Sequence, residues 1–324
     1  MKLAIIGTGK IVHEVLPVLK KIEGIELAAI VSTKRSIEQA NELAQSFQID
    51  FATDSLDKVL DSPEVDTVYV AVPNHLHFET AKRALLAGKH VICEKPFTLE
   101  AYELDQLISI ATENQLILLE AITNQYLGNF KYIKENLGKL GEIKIVECNY
   151  SQYSSRYDAF KKGEIAPAFD ATKGGGALRD LNIYNIHLMV GLFGKPKTVH
   201  YLANIEKQVD TSGILVLDYD QFKAVCIGAK DCSAEVKSTI QGNKGSLAIL
   251  GPTNEIPELR EILNSGNETI VQENQPQHRM YEEFLVFEEI ISHHDFDKAS
   301  KALEHSKIVM DVLDQAVKSM SKRS

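Results

Sequence analysis

The chain has 324 residues, of which 44% are hydrophobic and 25% charged, so its composition is that of a globular protein and excludes disordered and collagen-like chains. With 35 Lys and Arg against 45 Asp and Glu, the formal net charge is −10, which disfavours nucleic acid and anionic membrane surfaces as partners. At about 150 residues per domain, the length predicts two domains.

The first 120 residues alternate short apolar runs with segments of helical spacing. Strands are predicted at 3–6, 25–31, 51–52, 67–72, 90–93 and 116–119. Helices are predicted between them at 11–22, 37–47, 56–60, 78–86 and 99–112, with Pro17 kinking or ending the first. Repeated β-α-β units predict an α/β domain over residues 1–120, built on a parallel sheet with helices on both faces.

After about residue 121 the strands follow one another with little helix between them. They are predicted at 144–150, 199–205, 213–217, 222–227, 236–241 and 246–250. Helices are predicted at 178–192, 281–291 and 298–319. This pattern predicts an α+β domain over residues 121–324 with a large open, mostly antiparallel sheet, and we expect the closing helix of about residues 298–320 to pack back on the first domain.

The cysteines are widely spaced and form no CxxC or His-rich pattern, which favours reduced thiols in a cytoplasmic protein and no metal site. They are Cys93, Cys148, Cys226 and Cys232. No apolar run reaches the roughly 18 residues that a membrane-spanning helix needs. The first apolar run is too short for a signal peptide, so we expect none.

A glycine turn follows the first predicted strand and opens the first predicted helix. Gly7 and Gly9 allow a tight turn and close approach of the backbone to a pyrophosphate, which the helix N-terminus would stabilise. Val12 stands where a third glycine is usual. The alternative is a simple strand-to-helix turn, but the position favours a dinucleotide site formed by Gly7, Thr8, Gly9, Lys10 and Ile11.

The loop after the second predicted strand lacks the acidic residue that usually binds the ribose of NAD. It carries Ser32, Thr33, Lys34 and Arg35 instead, two hydroxyls and two cations that suit the 2′-phosphate of NADP. The alternative is a solvated basic loop. We therefore expect NADP to be preferred over NAD.

Two further polar segments follow strands of the same predicted sheet. Residues 72–77 (VPNHLH) follow one strand, and Glu94, Lys95 and Pro96 follow the next. Because ligands bind beyond the carboxyl ends of parallel strands, both segments point to the cofactor. A cis Lys95–Pro96 bond would fix the direction of the lysine. The alternatives are a surface lysine and polar residues that begin a helix.

A triple glycine at 174–176 precedes the helix with the third group of candidates. Asp180, Tyr184 and His187 are spaced i, i+4 and i+7 and so share one helix face, where they could relay a proton. A phenol serves as acid or base at neutral pH if a nearby ammonium, such as that of Lys95, stabilises its anion. The alternative is that Tyr184 and His187 are interior residues.

Three of these segments together resemble the Gfo/Idh/MocA family of NAD(P)-dependent oxidoreductases. They are GTGKIV at 7–12, CEKP at 93–96 and GGGALRDLNIYNIH at 174–187. Four residues after Asp180, where the inositol dehydrogenase branch of the family has a histidine, this chain has Tyr184. In this it resembles the dihydrodiol dehydrogenase and glucose–fructose oxidoreductase branch. The resemblance implies a Rossmann domain followed by a domain whose open sheet builds homodimers or higher oligomers.

The resemblance also implies roles for particular residues. Lys95 matches the active-site lysine, and Asp180 matches the aspartate of the family's helix. Residues that match the nicotinamide and ribose pocket are Pro73, Asn74 and His77, with Glu94 beside Lys95. We expect Asn124 and His187 to contribute to substrate binding, although His187 lies off the histidine position of the inositol dehydrogenase branch.

The resulting hypothesis is a dehydrogenase or reductase that transfers hydride between NADP, or NAD, and a small sugar, polyol, diol or related carbonyl substrate. Lys95 would polarise the substrate oxygen, Tyr184 would move the hydroxyl proton and Asp180 would orient the substrate or the lysine. Two alternatives stay open. One is a glycosidase that uses transient oxidation for elimination, and the other is a cofactor-binding sensor without turnover.

Overall fold

The structure, a computed structural model, describes residues 1–321. The chain divides into two compact units. The first contains Met1–Ala121 and Met280–Lys307, and the second contains Ile122–Arg279 and the described residues from Ile308 to Ser321.

The first unit is built on a six-stranded sheet in which all neighbouring strands are parallel. Its strands are β1 (Lys2–Ile6), β2 (Glu26–Val31), β3 (Phe51–Thr53), β4 (Thr67–Val70), β5 (His90–Glu94) and β6 (Leu118–Ala121), in the spatial order β3-β2-β1-β4-β5-β6. Its helices are α1 (Lys10–Leu19), α2 (Ile37–Phe47), α3 (Leu56–Leu60), α4 (His77–Leu86) and α5 (Ala101–Glu113). The central strands are buried along almost their whole length, as expected where helices cover both faces.

The second unit contains an eight-stranded sheet. Its strands are β7 (Ile143–Ser151), β8 (Thr198–Glu206), β9 (Val209–Asp218), β10 (Lys223–Ala229), β11 (Lys237–Gly242), β12 (Gly245–Leu250), β13 (Leu259–Leu263) and β14 (Glu268–Val271). The spatial order is β14-β13-β12-β11-β7-β10-β9-β8, and all neighbours are antiparallel except β7 and β10. Its helices include α6 (Gly128–Asn136), α7 (Tyr157–Lys161) and α8 (Ile183–Phe193). The predicted fold class, a parallel sheet followed by a mostly antiparallel one, is confirmed.

Two helices close the chain, α9 (Met280–Ser292) and α10 (Phe296–Ser321). α9 and the first part of α10 belong to the first unit, where Lys307 Nζ lies 2.8 Å from Asp105 Oδ1 of α5. The last part of α10 belongs to the second unit, where the backbone N–H of Tyr201 donates to Ser319 Oγ over 2.8 Å. α10 therefore contributes residues to both units.

Pro17 lies inside α1, and the helix ends at Leu19. A proline removes one backbone hydrogen bond of a helix and crowds the preceding turn. As expected, α1 ends within one turn of Pro17 and is shorter than the predicted helix of 11–22.

Candidate active site

The glycine turn after β1 has a geometry that fits the pyrophosphate of a dinucleotide. Gly7 has φ +128°, and a Cβ there would lie 2.3 Å from the carbonyl oxygen of Ala71. Gly9 has an extended backbone with φ −74°, and a Cβ there would meet no atom within 4 Å. Gly9 is the N-cap of α1, so open space lies beside a helix N-terminus, which stabilises anions. The other predicted cofactor residues of this turn, half-buried or exposed, are Thr8, Lys10 and Ile11.

The loop that follows β2 presents its two cations to solvent. Thr33 and Ser36 form a reciprocal capping box around a short 3₁₀ turn, while Lys34 and Arg35 are exposed and Ser32 is half-buried. Because β1 and β2 are parallel neighbours, this loop leaves the same edge of the sheet as the glycine turn. The side chains therefore suit a phosphate on the ribose of a bound dinucleotide.

The segment that carries Lys95 is held in place from the interior of the first unit. The Lys95–Pro96 peptide bond is cis, and Lys95 itself is half-buried. His77 Nδ1 lies 2.8 Å from the Pro96 carbonyl oxygen, and the backbone N–H of Phe97 donates to Glu120 Oε1 over 3.2 Å. Side chains from two other segments thus fix the backbone directly after the lysine.

His77, predicted as a cofactor residue, has no exposed surface. Its second ring nitrogen, Nε2, lies 2.9 Å from the Val72 carbonyl oxygen, so the imidazole connects the end of β4 to the Pro96 segment. Burial lowers the pKa of His77 and outweighs the two carbonyl oxygens, which raise it. Pro73 is exposed and Asn74 half-buried, so these two are more accessible than His77.

Glu94 is also a buried support and not a surface group. Its Oε1 accepts a hydrogen bond from the hydroxyl of Tyr69, which is fully buried and meets the edge of Phe284 with ring centroids 5.2 Å apart. Burial, and then the charge of Glu94, raise the pKa of Tyr69 well above its usual value. Tyr69 therefore stays a neutral donor that holds the carboxylate beside Lys95.

In the second unit the candidate residues begin on a π-helical turn, Leu178–Asn182, that leads directly into α8. The sequence predicted one continuous helix over 178–192. The backbone N–H of Leu178 donates to Asp210 Oδ2 over 2.7 Å, and Asn182 Nδ2 donates to the Cys226 carbonyl over 3.0 Å, so both ends of the turn are anchored. π turns occur frequently at functional sites because they change the direction of side chains on a helix.

Asp180 lies on this π turn and pairs with Lys230, a residue that no sequence motif indicates. Lys230 Nζ lies 2.7 Å from Asp180 Oδ2. The lysine side chain is 2% exposed and the aspartate side chain 37% exposed. The two residues are 50 positions apart in the chain, and no local pattern connects them.

Tyr184 and Asn124 meet in the second unit, and both Asn124 and His187 lie in its interior. Asn124 Nδ2 donates to the Tyr184 carbonyl over 2.9 Å, and the Tyr184 ring is 6.1 Å from that of Tyr150. Tyr184 is 8% exposed and both Asn124 and His187 are 0% exposed. Neither Asn124 nor His187, both predicted to bind substrate, has surface with which to contact one.

The first unit contains a helix N-terminus beside open space and a half-buried lysine, and the second contains a carboxylate and a phenol. These are kinds of group that a nicotinamide-dependent oxidoreductase uses. Among residues 1–321, no group of three or more His, Cys, Asp or Glu could hold a metal ion. No helix within the same residues is long and apolar enough to cross a membrane.

Comparison with known proteins agrees with this class. The family profile described as "Oxidoreductase family, NAD-binding Rossmann fold" matches residues 1–121, and the GFO/IDH/MocA C-terminal domain matches residues 135–248. The scyllo-inositol 2-dehydrogenase (NADP(+)) IolU of Bacillus subtilis is 35% identical over 99% of this chain and 97% of its own. Mouse trans-1,2-dihydrobenzene-1,2-diol dehydrogenase is 27% identical over 68% of this chain and 65% of its own.

Solved structures share the fold. KijD10, a 3-ketoreductase from Actinomadura kijaniata in complex with TDP-benzene and NADP, superposes with a TM-score of 0.83 at 20% identity, covering 98% of this chain and 97% of its own. Levoglucosan dehydrogenase in complex with NADH and levoglucosan gives 0.77 at 22% identity, covering 100% and 98%.

The chain belongs to the Gfo/Idh/MocA family of oxidoreductases. The predicted family and branch, the nicotinamide cofactor (NADP or NAD) and the activity on CH–OH or C=O groups are confirmed. The protein is an NAD(P)-dependent oxidoreductase.

Proposed function

We propose that the protein is an NADP-dependent dehydrogenase of a cyclic polyol or a similar sugar-like substrate. The observation that carries the proposal is the arrangement of Asp180 and Tyr184, a carboxylate and a phenol on one turn that runs from π-helix into α-helix. The similarity to a scyllo-inositol 2-dehydrogenase over 97% of that relative supports a hydroxyl-rich ring as substrate.

The first unit binds the cofactor. The open space at Gly9 and the N-terminus of α1 support a pyrophosphate site, and exposed Lys34 and Arg35 support a preference for the 2′-phosphate of NADP. When bound, the nicotinamide supplies or accepts the hydride.

The remaining chemistry falls to side chains of this chain. Lys95 polarises the substrate oxygen by its positive charge, and the supports around its backbone limit its movement. Tyr184 gives or takes the hydroxyl proton. Asp180 accepts a hydrogen bond from a substrate hydroxyl and so orients the ring.

Tyr184→Phe tests this assignment. Removing the hydroxyl should lower kcat by about 10²- to 10⁴-fold, the usual contribution of general acid–base catalysis, while the Kd of NADPH stays unchanged. The assay follows nicotinamide absorbance with scyllo-inositol and other cyclic polyols. Tyr219→Phe is the matched control, because Tyr219 donates to the Gly194 carbonyl at the far end of α8.

Near-normal turnover by Tyr184→Phe would contradict the role of the phenol. Sugar release without net change in nicotinamide absorbance would support the glycosidase alternative. NADPH binding without turnover of any polyol or carbonyl would support the sensor alternative.

The protein is also proposed to form a homodimer through the sheet of the second unit. Ile214 of β9 is paired with Leu202 of β8. Each side chain is 42% exposed and lies on the face of the sheet opposite the core. Ile145, Ile262 and Ile270 are exposed on other strands of the sheet. Exposed apolar surface of this kind is typical of interfaces.

A reducing compartment such as the cytoplasm is the proposed location. All four cysteines are free thiols, three of them buried and Cys232 exposed. Reduced thiols are typical of cytoplasmic proteins. Fractionation of cells that make the protein would test this.

A further inference from the structure

Lys230 is a buried lysine whose position is fixed by the fold of the second unit. It follows β10 directly, and its backbone N–H donates to the Thr211 carbonyl over 2.8 Å. Its side chain is 2% exposed. A lysine so deeply buried costs folding free energy unless its ammonium is paired and hydrogen-bonded.

Three partners surround the Lys230 ammonium. Nζ lies 2.7 Å from Asp180 Oδ2, donates to the Ala168 carbonyl over 2.5 Å and sits 4.3 Å from the centre of the Phe169 ring. Phe169 is itself 1% exposed and stacks on Phe160 with centroids 4.8 Å apart. The ammonium is therefore held by a carbonyl and a packed ring as well as by the carboxylate.

The two members of the ion pair differ in exposure. Asp180 keeps 37% of its side chain accessible, whereas Lys230 is shielded. The lysine cannot reach a ligand in this arrangement, but the aspartate can. A fixed ammonium behind a carboxylate restricts the orientation of that carboxylate.

We propose that Lys230 is a positioning residue of the dehydrogenase site: it holds the Asp180 carboxylate in the orientation in which it accepts a hydrogen bond from a hydroxyl of the substrate. This inference rests on the proposed function. It assigns Lys230 no contact with substrate or cofactor, and it predicts that the loss of Lys230 acts through Asp180 alone.

The test compares Lys230→Met with wild-type enzyme. Loss of an oriented, charged acceptor should lower kcat/KM for the polyol by about 10- to 100-fold, with a rise in KM. The Kd of NADPH, measured by nicotinamide fluorescence, should stay within about twofold, because the proposed cofactor residues lie in the first unit. Lys230→Arg keeps the charge and should recover part of the loss.

Lys207→Met is the matched control. Lys207 Nζ also donates to a carbonyl over 2.5 Å, that of Phe160, and sits 4.9 Å from the Phe160 ring. It belongs to the same aromatic cluster, but it is not the ion-pair partner of Asp180. We expect Lys207→Met to leave kcat/KM unchanged.

A double-mutant cycle with Asp180→Asn separates positioning from a purely structural role. If Lys230 acts through Asp180, adding Lys230→Met to Asp180→Asn should lower kcat/KM by no more than about threefold. Multiplicative losses in the double variant, or unchanged kcat/KM in Lys230→Met, would overturn the inference. If Lys230→Met does not fold, Lys230→Gln replaces it with the same expected outcomes.

The failure of the proposed function would be seen separately. Wild-type enzyme that binds NADPH but turns over no polyol refutes the proposed function, and the inference with it, before any variant is compared. Wild-type turnover with an unaffected Lys230→Met enzyme refutes only the role of Lys230.

Discussion

Gly7→Ala should mainly reduce stability and Gly9→Ala should mainly reduce cofactor binding, although the two glycines lie in one turn. At Gly7 a methyl group would stand 2.3 Å from the Ala71 carbonyl oxygen at φ +128°, so the backbone must shift. Backbone strain and overpacking each cost about 1–3 kcal/mol, so we expect a loss of about 2–6 kcal/mol in the free energy of unfolding. At Gly9 the methyl group would enter open space with an allowed φ of −74°, at a cost of no more than about 1 kcal/mol.

The effect of Gly9→Ala should instead appear in binding, because its methyl group would occupy the space proposed for the pyrophosphate. Losing hydrogen bonds to a charged group costs about 1.5–3 kcal/mol, which raises the Kd of NADPH about 10- to 100-fold. The chain has no Trp, so nicotinamide fluorescence suits the titration, and denaturant unfolding followed by circular dichroism gives the stability. Wild-type affinity in Gly9→Ala would refute the placement of the pyrophosphate, and equal stability of the two variants would refute the steric argument.

Three further predictions concern the loop after β2, the buried histidine and the second sheet. Replacing Lys34 and Arg35 by Ala should raise the Kd of NADPH about 10- to 100-fold and leave that of NADH unchanged; equal losses would contradict 2′-phosphate binding. Burial lowers the pKa of His77 in the folded chain, so the unfolded chain binds more protons and the free energy of unfolding should fall as pH drops through about 6.5. Urea unfolding at several pH values should show a smaller fall in His77→Gln. Ile214→Lys should convert a dimer to monomers in analytical ultracentrifugation, and a monomeric wild type would contradict the interface.

Local sequence patterns predicted most of the first unit because each strand there is a short apolar run and each helix shows apolar residues at helical spacing. The second sheet was less predictable. Neither β13 nor β14 was predicted. In β13 Glu261 is buried and Ile262 is exposed, so the apolar alternation is broken. β14 is a short edge strand in which Glu268, Thr269 and Ile270 are all exposed. The parallel pairing of β7 with β10 was also invisible, since alternation shows that a residue faces the core but not which strand lies beside it.

The candidate site divides in the same way. The candidate residues that form a local motif, such as the glycine turn, Lys95, Asp180 and Tyr184, were selected by spacing and resemblance. Lys230 was not, because an ion pair between positions 50 apart leaves no periodic signal. The π turn was predicted as ordinary helix, and the contacts that anchor its ends, from Leu178 to Asp210 and from Asn182 to Cys226, join residues far apart in the chain.

In each unit, buried polar side chains hold a more accessible charged residue in place. In the first, His77 and Glu120 hold the backbone beside half-buried Lys95; in the second, buried Lys230 holds half-exposed Asp180. Buried polar contacts are strong when satisfied and costly when broken, so they hold a reactive group in one geometry better than flexible surface contacts would. Supports of this kind limit the movement of a charged group that must stay accessible. We therefore expect substitutions at the supporting residues to alter substrate turnover without removing any group that contacts the substrate.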